Sequence, residues 1–219
     1  MKKIMDIKNR AEAVCKELEM LYPEAQCSLE YEGEPWKLLI MARLSAQCTD
    51  ERVNIVCKDL FRRFPTLSSV ADCDIAELEN VVRPCGLFRT KAASIKAAAQ
   101  VLVEKHGGNV PDTMEELLEL PGVGRKIANL ILGDIYKKGG IVADTHCIRI
   151  SNRLGFAQKR DPLAVEKALT PIIPLEKQSD FCHRLVLFGR DICSARNPRC
   201  DDCPLHEKEI CKGAADESE

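Results

Sequence analysis

Apolar residues recur at intervals of three and four along almost the whole chain. Val53, Val56, Cys57, Leu60, Phe61 and Phe64 mark one face of a helix, and Ile127, Leu130, Ile131 and Ile135 mark another. The polar punctuation fits the same reading. Pro35, after Glu34, opens a helix through WKLLIMARL, since proline is tolerated in a first turn. Thr113 and Glu116 have capping-box spacing ahead of EELLEL. Asp161 and Pro162 open LAVEKALT, which Pro171 and Pro174 stop. The stretch MKKIMDIKNRAEAV mixes Asp6, Arg10 and Glu12 with apolar residues, so it reads as an amphipathic helix and not as a signal peptide. Strand alternation of useful length is absent. The expectation is an all-α protein of roughly ten helices, with no repeat and with disorder confined to the last seven residues.

Composition adds the setting. At 219 residues the chain can form one large core or two small ones. No apolar run approaches the roughly 18 residues of a membrane helix, so a soluble, cytoplasmic protein without a membrane partner is expected. In that reducing setting, eight of the twelve cysteines, at 15, 27, 48, 57, 73, 85, 147 and 182, read as small buried hydrophobes. The other four crowd into CSARNPRCDDCPLHEKEIC as Cys193-x6-Cys200-x2-Cys203-x7-Cys211. Four thiolates within nineteen residues point to a metal centre. Zinc and a 4Fe–4S cluster both accept four cysteines. The long first gap is unlike the short paired spacings of common zinc modules, but spacing alone leaves both open.

The formal net charge of −2 does not announce a nucleic-acid binder, yet charge is unevenly placed. Between Pro121 and Arg160 stand eight basic residues and only two acidic ones, Asp134 and Asp144. Such a face suits a polyanion, or is simply a solvated surface. Within it lies LPGVGRK. A turn of Gly122, Val123 and Gly124 exposes backbone N–H groups at the start of the next helix, where they can hold a phosphate. Arg125 and Lys126 follow at once, at the end of a helix whose dipole disfavours cations. A nearby phosphate would offset that penalty; a plain helix connector would not. Farther on, Asp144 ahead of Thr145 and His146 has the look of an N-cap, which can keep its second oxygen for chemistry. His146 alone is more simply structural. Arg149 and Arg153 lie one turn apart, facing phosphates or solvent. Arg196 and Arg199 sit between the first two clustered cysteines, where a metal-stapled loop would make them rigid phosphate contacts.

LSAQCTD, LPGVGRK, ADTH and the closing four-cysteine run, in that order, resemble the endonuclease III family of helix-hairpin-helix DNA glycosylases and AP lyases. The resemblance spans about Ala11 to Cys211. It implies a two-lobed all-α fold: a six-helix bundle with the hairpin, over residues 28–138, and a discontinuous iron–sulfur lobe, over 1–27 and 139–219. It further implies a bifunctional enzyme that removes oxidised pyrimidines from duplex DNA, cuts 3′ to the abasic site, and acts as a monomer. It places the nucleophile at Lys126, the catalytic carboxylate at Asp144, a gap-filling side chain at Gln47 and a wedge at Leu87. Cys193, Cys200, Cys203 and Cys211 become the ligands of a 4Fe–4S cluster. Two positions depart from the family. The last cysteine gap is seven residues where five is usual, which makes His206 an alternative ligand. Ile127 stands where threonine is common, a change of packing rather than of reaction. Relatives that excise mispaired adenine lack a lysine at this position and continue past the cluster with a further domain.

The chemistry follows from those roles. A stacked base must be flipped out, at a cost of about a few kcal/mol. Wedge and gap-filling side chains offset part of it, although Leu87 could instead be local core and Gln47 a helix-end hydrogen bonder. Lys126 must attack as a free amine. The helix start, Arg125 and partial burial all disfavour its ammonium form. Bringing a lysine from about 10.4 to about 8 takes about 3 kcal/mol. Asp144 would stabilise positive charge on the sugar or help deprotonate the amine. Two other readings stand beside this one: a non-catalytic hairpin DNA-binding module, and a glycosylase of the same superfamily with another base specificity.

Overall fold

A computed structural model describes residues 2–211, with side chains from residue 7 onward. The tail expected to lack order lies outside the described residues. Helix α1 spans Lys2–Leu21, α2 Pro35–Leu44, α3 Asp50–Arg63, α4 Leu67–Asp72, α5 Ile75–Val82 and α6 Phe88–His106. Then come α7 Met114–Glu119, α8 Arg125–Asp134, α9 Thr145–Arg153, α10 Pro162–Leu169, α11 Gln178–Asp191 and α12 Pro204–Glu207. Short 3-10 turns occupy Arg83–Cys85 and Leu175–Lys177, and no strand occurs among the described residues. The segments exceed the roughly ten expected because α4 and α12 are too short to show a helical period.

Side-chain caps set most boundaries. Thr49 accepts the Arg52 amide at 3.4 Å, Asp74 that of Ala76 at 3.0 Å and Asp161 that of Ala164 at 2.8 Å. Each supplies an acceptor to one of the amides that a helix start leaves unpaired. Thr113 caps α7 through the Glu116 amide at 3.3 Å. The return contact differs from a capping box, because the Thr113 hydroxyl itself donates to the Glu116 carboxylate at 2.6 Å.

The chain divides into two compact units, Cys27–Tyr136 and Met1–Gln26 with Lys137–Glu219. In the first, α2 to α8 enclose Leu38, Met41, Val53, Leu60, Leu78, Ile95, Leu117 and Ile131. One charged side chain, Lys91, is wholly buried on the inward face of α6. In the second, α1, α9, α10 and α11 enclose Val14, Leu18, Ile150, Val165, Leu169, Phe181 and Phe188. Among the described residues no helix is long and apolar enough to cross a membrane.

Within the second unit α9 crosses α11 closely at Gly189. A Cβ there would lie 2.8 Å from Arg149 Nη2 and 3.0 Å from Ile150 Cδ1. Gly189→Ala should cost about 1–3 kcal/mol by forcing these helices apart. The expected readout is a lower urea midpoint with an unchanged slope; an unchanged midpoint would show that α9 and α11 part freely.

Candidate functional site

The hairpin of the first unit is built by α7, the turn 120–124 and α8. Leu120 and Val123 are buried and pin the turn to the core. The Val123 amide closes the turn on the Leu120 carbonyl at 3.0 Å. Val123, expected to offer its amide to a phosphate, is therefore an anchor, its donor already used within the turn. The two glycines serve different needs. Gly122 has φ +79°, and a Cβ on it would fall 2.7 Å from Arg43 Nε and 2.8 Å from the Ser94 Cβ. Those two residues hold each other, Arg43 Nε donating to Ser94 Oγ at 2.9 Å. Gly124 has ordinary extended geometry and nothing within 4 Å of its would-be Cβ. As the N-cap of α8 it supplies no side-chain acceptor. The helix thus starts without a side-chain cap, and its first amides have no intrahelical partner.

Arg125 and Lys126 occupy the first two positions of α8, and both are exposed. The expected partial burial of Lys126 is incorrect. The second residue of a helix projects off its flank, and α8 turns the flank holding Ala128, Ile131 and Leu132 to the core instead. Within its unit Lys126 has no hydrogen-bond or ion-pair partner among the described residues.

Gln47 and Leu87 belong to the same unit and share an unusual backbone. Both have left-handed geometry, with φ +55° and +47°. Both are exposed, Leu87 by 60%. Leu87 is thereby removed from the core, and the Gln47 side chain makes no hydrogen bond among the described residues, so neither bland role holds. A non-glycine residue in this region is strained, most of all a bulky one.

In the second unit Asp144 caps α9, its Oδ1 accepting from the Cys147 amide at 2.7 Å. Its Oδ2 has no partner within the unit among the described residues. Arg149 does not face a phosphate. Its guanidinium turns inward and donates to the carbonyls of Gly189 at 3.3 Å and Cys193 at 3.0 Å. The Gly189 carbonyl belongs to the last turn of α11 and that of Cys193 lies two residues past its end, so both need partners from outside the helix, which explains the inward turn. Arg153 likewise holds the Ser194 and Ala195 carbonyls at 2.7 and 3.0 Å and approaches Cys193 Sγ at 3.3 Å. Arg199 is exposed but pairs with Asp191 at 2.6 Å, whereas Arg196 is exposed with no partner among the described residues.

The four clustered cysteines converge. Cys193, Cys200, Cys203 and Cys211 all line one pocket, walled by Ile150, Phe188 and Leu205. None of the four forms a disulfide. Burial pushes the Cys203 thiol up, while the His206 and Leu205 amides directed at its sulfur pull it down. Such N–H groups favour a thiolate. Among the described residues no three Cys, His, Asp or Glu side chains gather tightly enough around one point to hold a single metal ion. His206 sends its Nδ1 to the Cys211 carbonyl at 3.1 Å, and Cys211 itself lines the cavity despite the longer gap. The loop is also tied to α1. Arg10 donates to the Leu154 and Ile210 carbonyls at 2.7 and 3.2 Å, and Lys208 pairs with the buried Glu17 at 2.7 Å.

A bare glycine hairpin, an exposed lysine behind it and a four-thiol cavity are the parts of a helix-hairpin-helix DNA repair protein. Residues 40–174 match the HhH-GPD superfamily of base excision DNA repair proteins. Residues 193–207 match the iron–sulfur binding domain of endonuclease III. The sequence is 42% identical to endonuclease III of Synechocystis, covering 94% of each chain. It is 40% identical to that of Bacillus subtilis, covering 84% of each. Solved structures of an endonuclease III–DNA complex, non-covalent and covalently trapped, superpose with a TM-score of 0.86 at 40% identity. They match over 94% of this chain and 95% of theirs. The chain belongs to the endonuclease III family. It is a glycosylase and AP lyase of base excision repair, and its cofactor is a 4Fe–4S cluster.

Two outcomes are expected. Gly122→Ala should lose about 2 kcal/mol or more, from both its backbone and its lack of room, whereas Gly124→Ala should melt within about 0.5 kcal/mol of the parent; equal losses would show that open space at Gly124 is not a real difference. The purified protein should be brown and absorb in the visible, with iron and sulfide in equal amounts. Colourless protein holding one zinc per chain would contradict the 4Fe–4S assignment.

Proposed function

We propose that the chain opens duplex DNA at oxidised pyrimidines, with Lys126 as nucleophile and Asp144 as the carboxylate that offsets positive charge on the sugar. The observation that carries this reading is the placement of an exposed, unpartnered lysine one residue beyond a helix start that has no cap of its own. Amides at that start would hold a phosphate of the damaged strand, and the phosphate would offset the placing of Arg125 and Lys126 at the positive end of α8. Gln47 and Leu87 would occupy the space left by the flipped nucleotide. Arg196 would contact a phosphate from the cysteine loop. The solved relatives support the reading, since they are an endonuclease III bound to DNA and one trapped as a covalent DNA intermediate.

The neutral Lys126 amine attacks C1′, and the base leaves with the electrons of the glycosidic bond and takes up a proton. The sugar ring opens at C1′–O4′ to give an iminium joined to Nζ. Loss of a C2′ proton then expels the 3′ phosphate, and water hydrolyses the imine to free the lysine. Asp144 has one oxygen committed to the Cys147 amide, which fixes the carboxylate in place and leaves the other oxygen to oppose positive charge on the sugar. The cluster stiffens the loop that bears Arg196 and takes no part in these steps. Lysine at this position also favours the pyrimidine-directed lyase class over relatives that remove mispaired adenine.

Lys126→Gln should lose borohydride trapping on abasic duplex and slow nicking at least about a hundredfold. Normal trapping by that variant would remove Lys126 from the nucleophile's role. Duplexes carrying oxidised pyrimidines should be cut and those carrying an A:G mispair should not.

A further inference from the structure

Lys91 is the least expected residue of the first unit. Its side chain has no solvent exposure, and burial holds its pKa below the ordinary lysine value. Nζ donates to two main-chain carbonyls, Leu44 and Cys85, each at 2.8 Å. Leu44 ends α2, three residues before Gln47. Cys85 ends the 3-10 turn, two residues before Leu87. The Lys91 amide meanwhile donates to the Leu87 carbonyl at 3.0 Å. One residue therefore grips both sides of the Leu87 turn and the stem of the Gln47 turn. The same two segments also bring the Cys48 thiol near that of Cys85, and burial together with this neighbour pushes the Cys85 thiol up to about 11. The platform continues toward the hairpin, for Ser94 Oγ donates to the Lys91 carbonyl at 2.9 Å and helps form the seat of Gly122.

A buried ammonium is a costly way to finish a helix end, because it must leave water behind. Two strained left-handed residues, however, persist only where their surroundings over-determine them. We propose that Lys91 is a positioning residue for duplex opening: by binding the Leu44 and Cys85 carbonyls with one ammonium, it holds Gln47 and Leu87 in fixed register as a single two-pronged wedge. The proposal rests on the reading that those two side chains enter the duplex.

The test is a mutant cycle on the full chain with its cluster. The four proteins are the parent, Lys91→Met, the pair Gln47→Ala with Leu87→Ala, and all three changes together. The probe is a duplex with one preformed abasic site opposite 2-aminopurine, whose fluorescence rises when that base is unstacked. Lys91→Met should slow single-turnover nicking about tenfold and suppress the fluorescence rise, while in the wedge-less pair it should add less than about twofold, since residues acting as one unit are non-additive. A full additional tenfold loss in the triple variant, or a Lys91→Met protein with parental nicking and fluorescence, overturns the proposal. Should the wedge-less pair itself nick and unstack like the parent, the reading beneath the proposal fails, which is a different result. If Lys91→Met does not fold, Lys91→Gln, which keeps a donor, takes its place in the cycle. Failure of both to fold would make Lys91 a support of the whole bundle and would equally overturn the proposal.

Discussion

Every helix ends in backbone groups that have no partner within it, and this constraint organises the functional parts of the chain. Asp144 answers the first amides of α9. Arg149 answers carbonyls at and just past the end of α11. Lys91 answers the last carbonyl of α2 and that of the turn before α6. The start of α8, like those of α2, α6, α11 and α12, has no side-chain cap. Thr49, Thr66, Asp74, Thr113 and Asp161 cap other helices with their side chains, while Gly124 leaves α8 without one. A helix start with no side-chain acceptor, with Lys126 exposed just beyond it, is a place where an anion from outside is favoured.

Within the second unit α9 carries more than one duty. Its first amides fix the Asp144 carboxylate. Two turns on, Arg149 and Arg153 reach the loop that begins the cysteine run. The thiol cavity and the carboxylate thus share one rigid helix, and the loop bearing Arg196 hangs from its far end. A cluster that binds those four thiols stiffens the loop from the other side. This division gives the cofactor a mechanical purpose that needs no part in bond breaking.

Local spacing made much of this legible beforehand. LPGVGRK, the Asp144 cap and the cysteine run are each written within a few residues, so helix geometry alone fixes how their atoms meet. What spacing hides is the demand of distant carbonyls. Arg149 and Arg153 have the interval of a phosphate-facing stripe, yet the open end of α11 lies where they can reach it. Lys126 was expected to be half-buried because a reactive amine suggested it, but the second position of α8 projects outward. Lys91 left a readable sign: with Ile95, Ala98 and Leu102 it shares the inward stripe of α6. A lysine on such a stripe announces buried acceptors, though not which ones.

The strain at Gln47 and Leu87 bears on why those side chains exist at all. Each holds a conformation that glycine adopts freely and that costs other residues about 1–3 kcal/mol. Neither contributes to the core, since both are exposed. Glycine at either position would relieve the strain and remove no buried contact. Within the chain, then, these side chains bring only a cost, and what offsets it lies outside. A stacked base pair is a surface that could do so, because an apolar wedge and an amide in the vacated space recover part of the energy spent in opening it. Exposed Glu32, Lys137 and Glu209 share that backbone geometry, so strain alone does not select contact residues; what sets Gln47 and Leu87 apart is that one buried ammonium, Lys91, holds the stems of both.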